Sequence, residues 1–506
     1  MADSDLPHRL RDALLDADYT YGAVSELLGE QAHTALSRNE TTPAARRVSA
    51  DPGSALAAAA QPPRSPAPLA TLVRLFLLQR VVPLADAEAA LPGLVDRLAA
   101  DGFLARSVGE VAARLDCRPY ATEGEDLWVV SDLTPGLDGA PIRVGADHVL
   151  GISPASTSLA QLTLREEVGT ALDLGTGCGV QALHLAAHSD RVVATDVNQR
   201  ALAITRFNAA LNEVEDRVEV REGSFFEPLQ GQRFDLIATN PPFVISPATG
   251  DRLVYRDSGL PGDRVVEDIV RAAPDHLSDG GWCQVLGNWV IPRDRSWEER
   301  LAAWLPGDCD ALVVQREAMD PAAYVELWLK DAGLHGGPDY TERYDTWLSW
   351  LDEQGVEGIG FGWVNLRATR DENPVHTLQE WPYDVEQPIA PAIGAWARAA
   401  RRSVTPGSRL VVRPDVRQET VGAVGAEDPA TIVLRQQRGF RRARDVDTVT
   451  AAAVGACDGD LEVGQILDAV ADLLGLDPAA VRQQHLPLIT DLVREGYLEV
   501  AADWHP

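Results

Sequence analysis

The tetrapeptide Asn240-Pro241-Pro242-Phe243 follows the apolar run Phe234-Asp235-Leu236-Ile237-Ala238-Thr239. Such a run reads as a buried strand, and the double proline ends it in a rigid turn that carries Asn240 at the strand's carboxyl end. Two residues without N–H donors make the turn rich in acceptors, namely the Asn240 side-chain oxygen and the Pro241 carbonyl. An NH₂ group suits such a pair.

A second constellation lies upstream. Ala171-Leu172-Asp173-Leu174 runs into Gly175-Thr176-Gly177-Cys178-Gly179-Val180, and a helix follows directly. Glycines at 175, 177 and 179 let a ligand approach the backbone at a strand's carboxyl end, where open α/β sheets bind nucleotides. The dinucleotide fingerprint needs a glycine where Val180 stands, so the spacing points to a cofactor without a pyrophosphate. About 20 residues on, Val192-Val193-Ala194-Thr195 ends in Asp196, a carboxylate placed to accept both hydroxyls of a ribose. Val218-Glu219-Val220 supplies a third strand end, where Ser224 and Phe225 would line an adenine.

A lone Gly-x-Gly-x-Gly is often an ordinary strand-to-helix turn, and Asn-Pro-Pro an ordinary loop. Their occurrence at successive strand ends makes the bland account poor. Asp173 has the alternative reading of a turn-capping carboxylate, while His184 and His188 read as packing residues on a helix facing the sheet. The loops 150–157 and 255–263 are placed to cover the cofactor and the acceptor.

The elements that must position these residues alternate strand and helix from about 165 to 370, which predicts a parallel sheet covered on both faces. The strands are expected at 171–174, 191–196, 218–220, 234–239, 282–286, 311–314 and 360–366, with a helix over 338–354 before the last. On these motifs residues 150–370 resemble a class I S-adenosylmethionine-dependent methyltransferase, and Asn240-Pro241-Pro242-Phe243 resembles its amino-group N-methylating branch. That branch includes release-factor glutamine methyltransferases, adenine N6 methyltransferases and ribosomal-RNA guanine N2 methyltransferases. The resemblance implies a seven-stranded, doubly wound, Rossmann-like α/β fold that binds S-adenosylmethionine without a metal. It implies that Asp173, Gly175, Gly177 and Gly179 hold the methionine part and Asp196 the ribose. Ser224 and Phe225 would surround the adenine, Asn240 would touch both cofactor and acceptor, and Pro241, Pro242 and Phe243 would complete the acceptor site. Many relatives carry an acidic residue where Ser224 stands, which weakens the expected contact with the adenine amino group.

Flanking this domain, taken as 146–370, the chain reads as a helical, winged-helix-like module over 1–145, a linker and small mixed α/β region over 371–445, and a winged-helix-like module over 446–506. The Ala/Pro/Arg/Ser-rich stretch 41–68 reads as a flexible insertion within the first. A formal net charge of −31 over 506 residues argues against wholesale wrapping by nucleic acid or an anionic membrane. One Arg-rich stretch (Arg398, Arg401, Arg402, Arg435, Arg438, Arg441, Arg442, Arg444) with Trp396 and Phe440 has the composition of an RNA-binding patch, against the plainer reading of cations paired with the chain's own carboxylates. The five cysteines form no Cys-x-x-Cys pair, so neither a zinc knuckle nor a disulfide framework is indicated. With no apolar leader and no window near the roughly 20 apolar residues of a membrane span, the expected location is the cytoplasm.

The expected activity is methyl transfer to a protein glutamine side-chain amide, with a release factor or ribosomal protein as partner. The alternatives are an exocyclic amino group of adenine or guanine in RNA or DNA, and a non-catalytic cofactor-binding module.

Overall fold

The computed structural model describes residues 5–49, 67–122, 124, 126–142, 144–145, 147–247, 261–424 and 429–503. Its centre is an eight-stranded sheet. In chain order the strands are β1 Val168–Leu174, β2 Ser189–Asp196, β3 Val218–Glu222, β4 Phe234–Thr239, β5 Leu277–Pro292, β6 Cys309–Met319, β7 Val356–Ala368 and β8 His376–Glu380. They lie side by side in the order β8-β6-β7-β5-β4-β1-β2-β3.

Period-two alternation explains why both faces are covered. Leu172, Val193, Ile237, Val313 and Val364 join one core with the helices Arg264–Ala272 and Trp297–Ala302. Their sequence neighbours Ala171, Val192, Leu236, Leu312 and Trp363 join another with the helices Pro154–Leu162, Val180–Ala186 and Ala390–Ala399.

The seven expected strands are present, and two expectations are corrected. The sheet is mixed, because β7 runs antiparallel to both β5 and β6. It has an eighth strand, β8, paired parallel to β6 with Ala311 opposite His376, in a stretch expected to be linker. β8 lies at the sheet's edge and buries none of its residues fully, so it lacks the apolar pattern that reveals a central strand.

The N-terminal region is helical from Leu6 to Val48. Within the stretch expected to be a flexible insertion, Thr42–Val48 is a helix with Ala44 and Val48 buried, and Asp138 accepts the Thr41 N–H at 2.6 Å. Residues 50–66 of that stretch lie outside the described residues. After the helical segment 67–77 come Val82–Pro83, the helices Leu84–Ala90 and Val95–Ala100, and the hairpin Leu104–Ser107/Glu110–Ala113, with Val82 paired to Val111. A second hairpin, Leu115–Ala121/Asp126–Asp132, lies against the central domain. The N-terminal core takes in Phe207 and Leu211 of the helix Gln199–Leu211, so the two regions share apolar packing.

The C-terminal region repeats the order helix, strand, helix, helix, strand through Thr448–Gly455, Asp458–Glu462, Val463–Leu474, Pro478–Arg494 and Leu498–Val500. Its third strand, Arg409–Val412, comes from upstream and sits between the other two. An expected domain boundary at 445 therefore cuts through one sheet and is corrected by it. No described helix is long and apolar enough to cross a membrane.

Candidate active site

The carboxyl ends of four adjacent parallel strands, β3, β2, β1 and β4, bring the sequence motifs to one edge of the sheet. Neighbouring strands are about 4.8 Å apart, so residues far apart in sequence become the lining of one site. Cross-links fix the strand ends. Thr239 donates its hydroxyl to Leu174 O at 2.7 Å, and the amides of Gly175 and Thr176 both donate to Thr195 O, at 3.0 and 2.9 Å.

Gly175, Gly177 and Gly179 all have positive φ, at 79°, 56° and 82°. Their roles separate on what a Cβ would meet. At Gly175 and Gly177 nothing lies within 4 Å, so the loop faces open space there; at Gly179 a Cβ would stand 2.9 Å from Thr205 Cγ2. The first two glycines leave room for a ligand, and the third is required by helix packing.

Asp173 is 2% exposed, and its Oδ2 accepts the Thr176 hydroxyl at 2.6 Å and the Ala182 N–H at 3.0 Å. It braces the glycine loop against the following helix, and burial pushes its carboxyl up to about 7. Asp196 is half-buried. It accepts Gly177 N–H and Asn198 N–H, one on each oxygen, both at 2.9 Å. Desolvation raises its pKa. A carboxylate has about four lone-pair positions, so two acceptor positions remain for hydroxyls.

Beyond β3, Gly223 donates to Asp196 O at 3.1 Å. Ser224 is exposed, and Phe225 adopts φ 45°, an unusual conformation for a bulky side chain. Asp147 O accepts Asn198 Nδ2 at 2.9 Å, which draws the segment before the helix Pro154–Leu162 toward the Asp196 side of the site. Of the loop 255–263 expected to cover the acceptor, residues 255–260 lie outside the described residues.

Asn240 is half-buried, and its Oδ1 is buried with no hydrogen-bond partner among the described residues. Pro241 is buried, Pro242 and Phe243 are half-buried, and the Phe243 ring meets Trp328 edge-on at 6.3 Å. His184 faces the second N-terminal hairpin rather than the sheet. Its Nε2 lies 3.2 Å from Tyr120 OH, and burial lowers its pKa to about 4.

Sequence reasoning missed Asn208. This residue is fully buried and bridges the N-terminal hairpin to the glycine loop: its Oδ1 accepts Val130 N–H at 2.9 Å, and its Nδ2 donates to Val130 O and Cys178 O, both at 2.8 Å. One turn later Asn212 clasps Trp128 N and O in the same way, at 2.9 and 2.8 Å. The signal was available, since an asparagine inside a helix, followed four residues later by one at its C-cap, disfavours that helix's last turn unless its side chain has partners outside it.

A mixed, doubly wound sheet with an open glycine loop after β1 and a carboxylate after β2 defines a nucleoside-binding α/β domain. Residues 151–303 match the methyltransferase small domain, and this part of the chain is similar to class I S-adenosylmethionine-dependent methyltransferases of the amino-group N-methylating branch. The ribosomal protein uL3 glutamine methyltransferase of Bradyrhizobium diazoefficiens is 33% identical over 170 residues, covering 31% of this chain and 52% of the relative. The release factor glutamine methyltransferase of Xylella fastidiosa is 36% identical over 129 residues, covering 23% and 46%. The ribosomal RNA small subunit methyltransferase C of Erwinia tasmaniensis is 30% identical over 201 residues, covering 38% and 52%. The chain thus spans about half the length of the curated relatives it matches. Its flanks match two families described as Domain of unknown function, DUF7059 over residues 16–114 and DUF7782 over residues 393–500.

Proposed function

We propose that the protein is an N-methyltransferase acting on a glutamine side-chain amide of a protein, a release factor or ribosomal protein being the favoured class. The observation that carries this reading is the unpartnered, buried Oδ1 of Asn240 at the end of β4, one strand from the glycine loop. A buried amide oxygen without a donor is costly, and a substrate N–H removes that cost.

The open space at Gly175 and Gly177 and the spare acceptor positions of Asp196 fit an adenosyl cofactor with an amino-acid tail. S-adenosylmethionine supplies a methyl group on a sulfonium when bound. The residues of the chain do the rest. Asn240 Oδ1 and the Pro241 carbonyl accept the two N–H groups of the acceptor, turn its lone pair out of conjugation and offset positive charge as it grows on nitrogen. Phe243 packs on the planar amide. Such orientation supplies about 7–11 kcal/mol in favourable systems.

The RNA-modifying relative supports a second reading, an exocyclic amino group of a nucleobase. The Arg-rich stretch does not favour it, because its cations are largely engaged within the chain: Arg435 with Glu419, Arg444 with Glu495 and Arg401 with Asp310. Arg442 donates to Gln379 at 2.7 Å and stacks over Trp381 at 4.9 Å.

Asn240→Ala should retain cofactor binding by calorimetry while methyl transfer falls by about 10²–10³. Unchanged transfer would remove Asn240 from the mechanism. Labelling a lysate with methyl-tritiated cofactor separates the readings, since counts lost to protease support the protein acceptor and counts lost to nuclease support the nucleobase.

A further inference from the structure

β6 and β7 are antiparallel neighbours, a pair that a short turn can join. The chain instead places two helices, Pro321–Asp331 and Tyr340–Glu353, between them. Buried side chains of this insertion, among them Tyr324, Trp328, Trp347 and Leu351, form one core with Val244 and Ile245, the residues that continue from Asn240-Pro241-Pro242-Phe243.

Two polar groups in that core grip the same residue. The Tyr324 hydroxyl accepts Ile245 N–H at 2.8 Å, and Trp347 Nε1 donates to Ile245 O at 3.0 Å. Ile245 lies in no strand or helix, and the insertion's side chains satisfy its peptide groups. Tyr324 also receives Asn288 Nδ2 at 3.1 Å from β5, the strand beside β4. A single oxygen therefore ties the exit of the motif to the sheet. One helical turn from Tyr324, Trp328 meets the Phe243 ring, so one helix face contacts both Phe243 and Ile245.

We propose that Tyr324 is a positioning residue for the acceptor pocket, acting through the Ile245 amide, with Trp347 as the second anchor. This rests on the reading of Asn240-Pro241-Pro242-Phe243 as the acceptor-binding turn. Two prolines stiffen the chain between the anchor and Asn240, so a shift at Ile245 is transmitted rather than absorbed. A misplacement of about 1 Å in a near-attack arrangement costs about 10²-fold in rate.

Tyr324→Phe in the full chain tests this, because it keeps a ring between Trp328 and Trp347, at centroid distances of 6.0 and 6.1 Å, and removes only the oxygen. Hydrogen exchange followed by mass spectrometry should show the Ile245 amide exchanging at least about tenfold faster. With methyl-tritiated cofactor and unmethylated release factor or uL3, whichever takes label from the wild type, kcat should fall about 10–100-fold while the cofactor Kd stays within about twofold. Trp347→Phe should give the same pattern. Tyr344→Phe, whose hydroxyl is 3.2 Å from Glu326 on the exposed side, should leave both readouts at wild-type values.

Unchanged exchange at Ile245, faster exchange with unchanged kcat, or parallel loss of cofactor binding and melting temperature in both anchor variants would each overturn the proposal. If Asn240→Ala keeps full transfer, the acceptor-turn reading itself fails, and that outcome is independent of the exchange data.

Discussion

Asp173 shows how one residue type serves different ends at adjacent strands. Asp173 and Asp196 both follow a run of buried strand residues, yet Asp173 turns inward to brace the loop and Asp196 keeps acceptor positions toward the site. Burial raises Asp173 from an ordinary 3.8 to about 7, so between those values the folded chain holds a proton that the unfolded chain has released. Its contribution to stability is therefore present below about pH 4 and is lost as pH rises to about 7. The melting temperature of the wild type should fall relative to Asp173→Asn between pH 5 and 8; a difference that stays constant across that range would show that the carboxyl is ionised throughout.

The glycine loop and the helix Gln199–Leu211 work as one unit. Gly177→Ala, at φ 56°, carries the same left-handed strain as Gly179→Ala, but its Cβ enters open space where a ligand would lie, so it should weaken cofactor binding the more of the two. Gly179→Ala adds a clash with Thr205 to left-handed strain on the order of 1–3 kcal/mol, so it should lower stability the more of the two. Chemical denaturation and cofactor titration of the two variants would separate them, and identical profiles would refute the division of roles. Asn208→Ala leaves Val130 N–H, Val130 O and Cys178 O without their partner, at about 1–3 kcal/mol for each stranded group. It should both destabilise the chain and loosen the loop, raising the cofactor Kd. Asn212→Ala strips partners from Trp128 and should destabilise without that rise.

At the scale of the whole molecule, the methyltransferase domain is clasped on both sides. The N-terminal region buries Phe207 and Leu211, and the C-terminal side contributes Ile389, Ile393 and Phe440 to a core of the central sheet. The flanking regions are thus parts of one packed molecule. The internal pairing of the Arg-rich stretch, set in a chain of net charge −31, predicts weak attraction to phosphate. Single-stranded RNA should bind no tighter than about 10 μM at physiological salt, within the nonspecific range. Fluorescence anisotropy showing a Kd below about 1 μM would return the RNA acceptor to first place.

Local chemistry was legible in the sequence. The three glycines, Asp196 and Asn240-Pro241-Pro242-Phe243 announce themselves because turns, strand ends and proline pairs constrain the backbone within a few residues. Six of the seven expected strands were legible because burial writes an apolar run; β3, at the sheet's other edge, buries only Val218 and was read from the alternation of strand and helix. Other features waited for the tertiary structure: β8, an edge strand with no buried residue; the direction of β7; the upstream origin of Arg409–Val412; and the grip of Tyr324 and Trp347 on Ile245, across 79 and 102 residues of chain. Each is a pairing between distant segments whose side chains look ordinary in sequence. The sequence by itself determined which groups stand at the strand ends, and only the packed fold decided what holds them there.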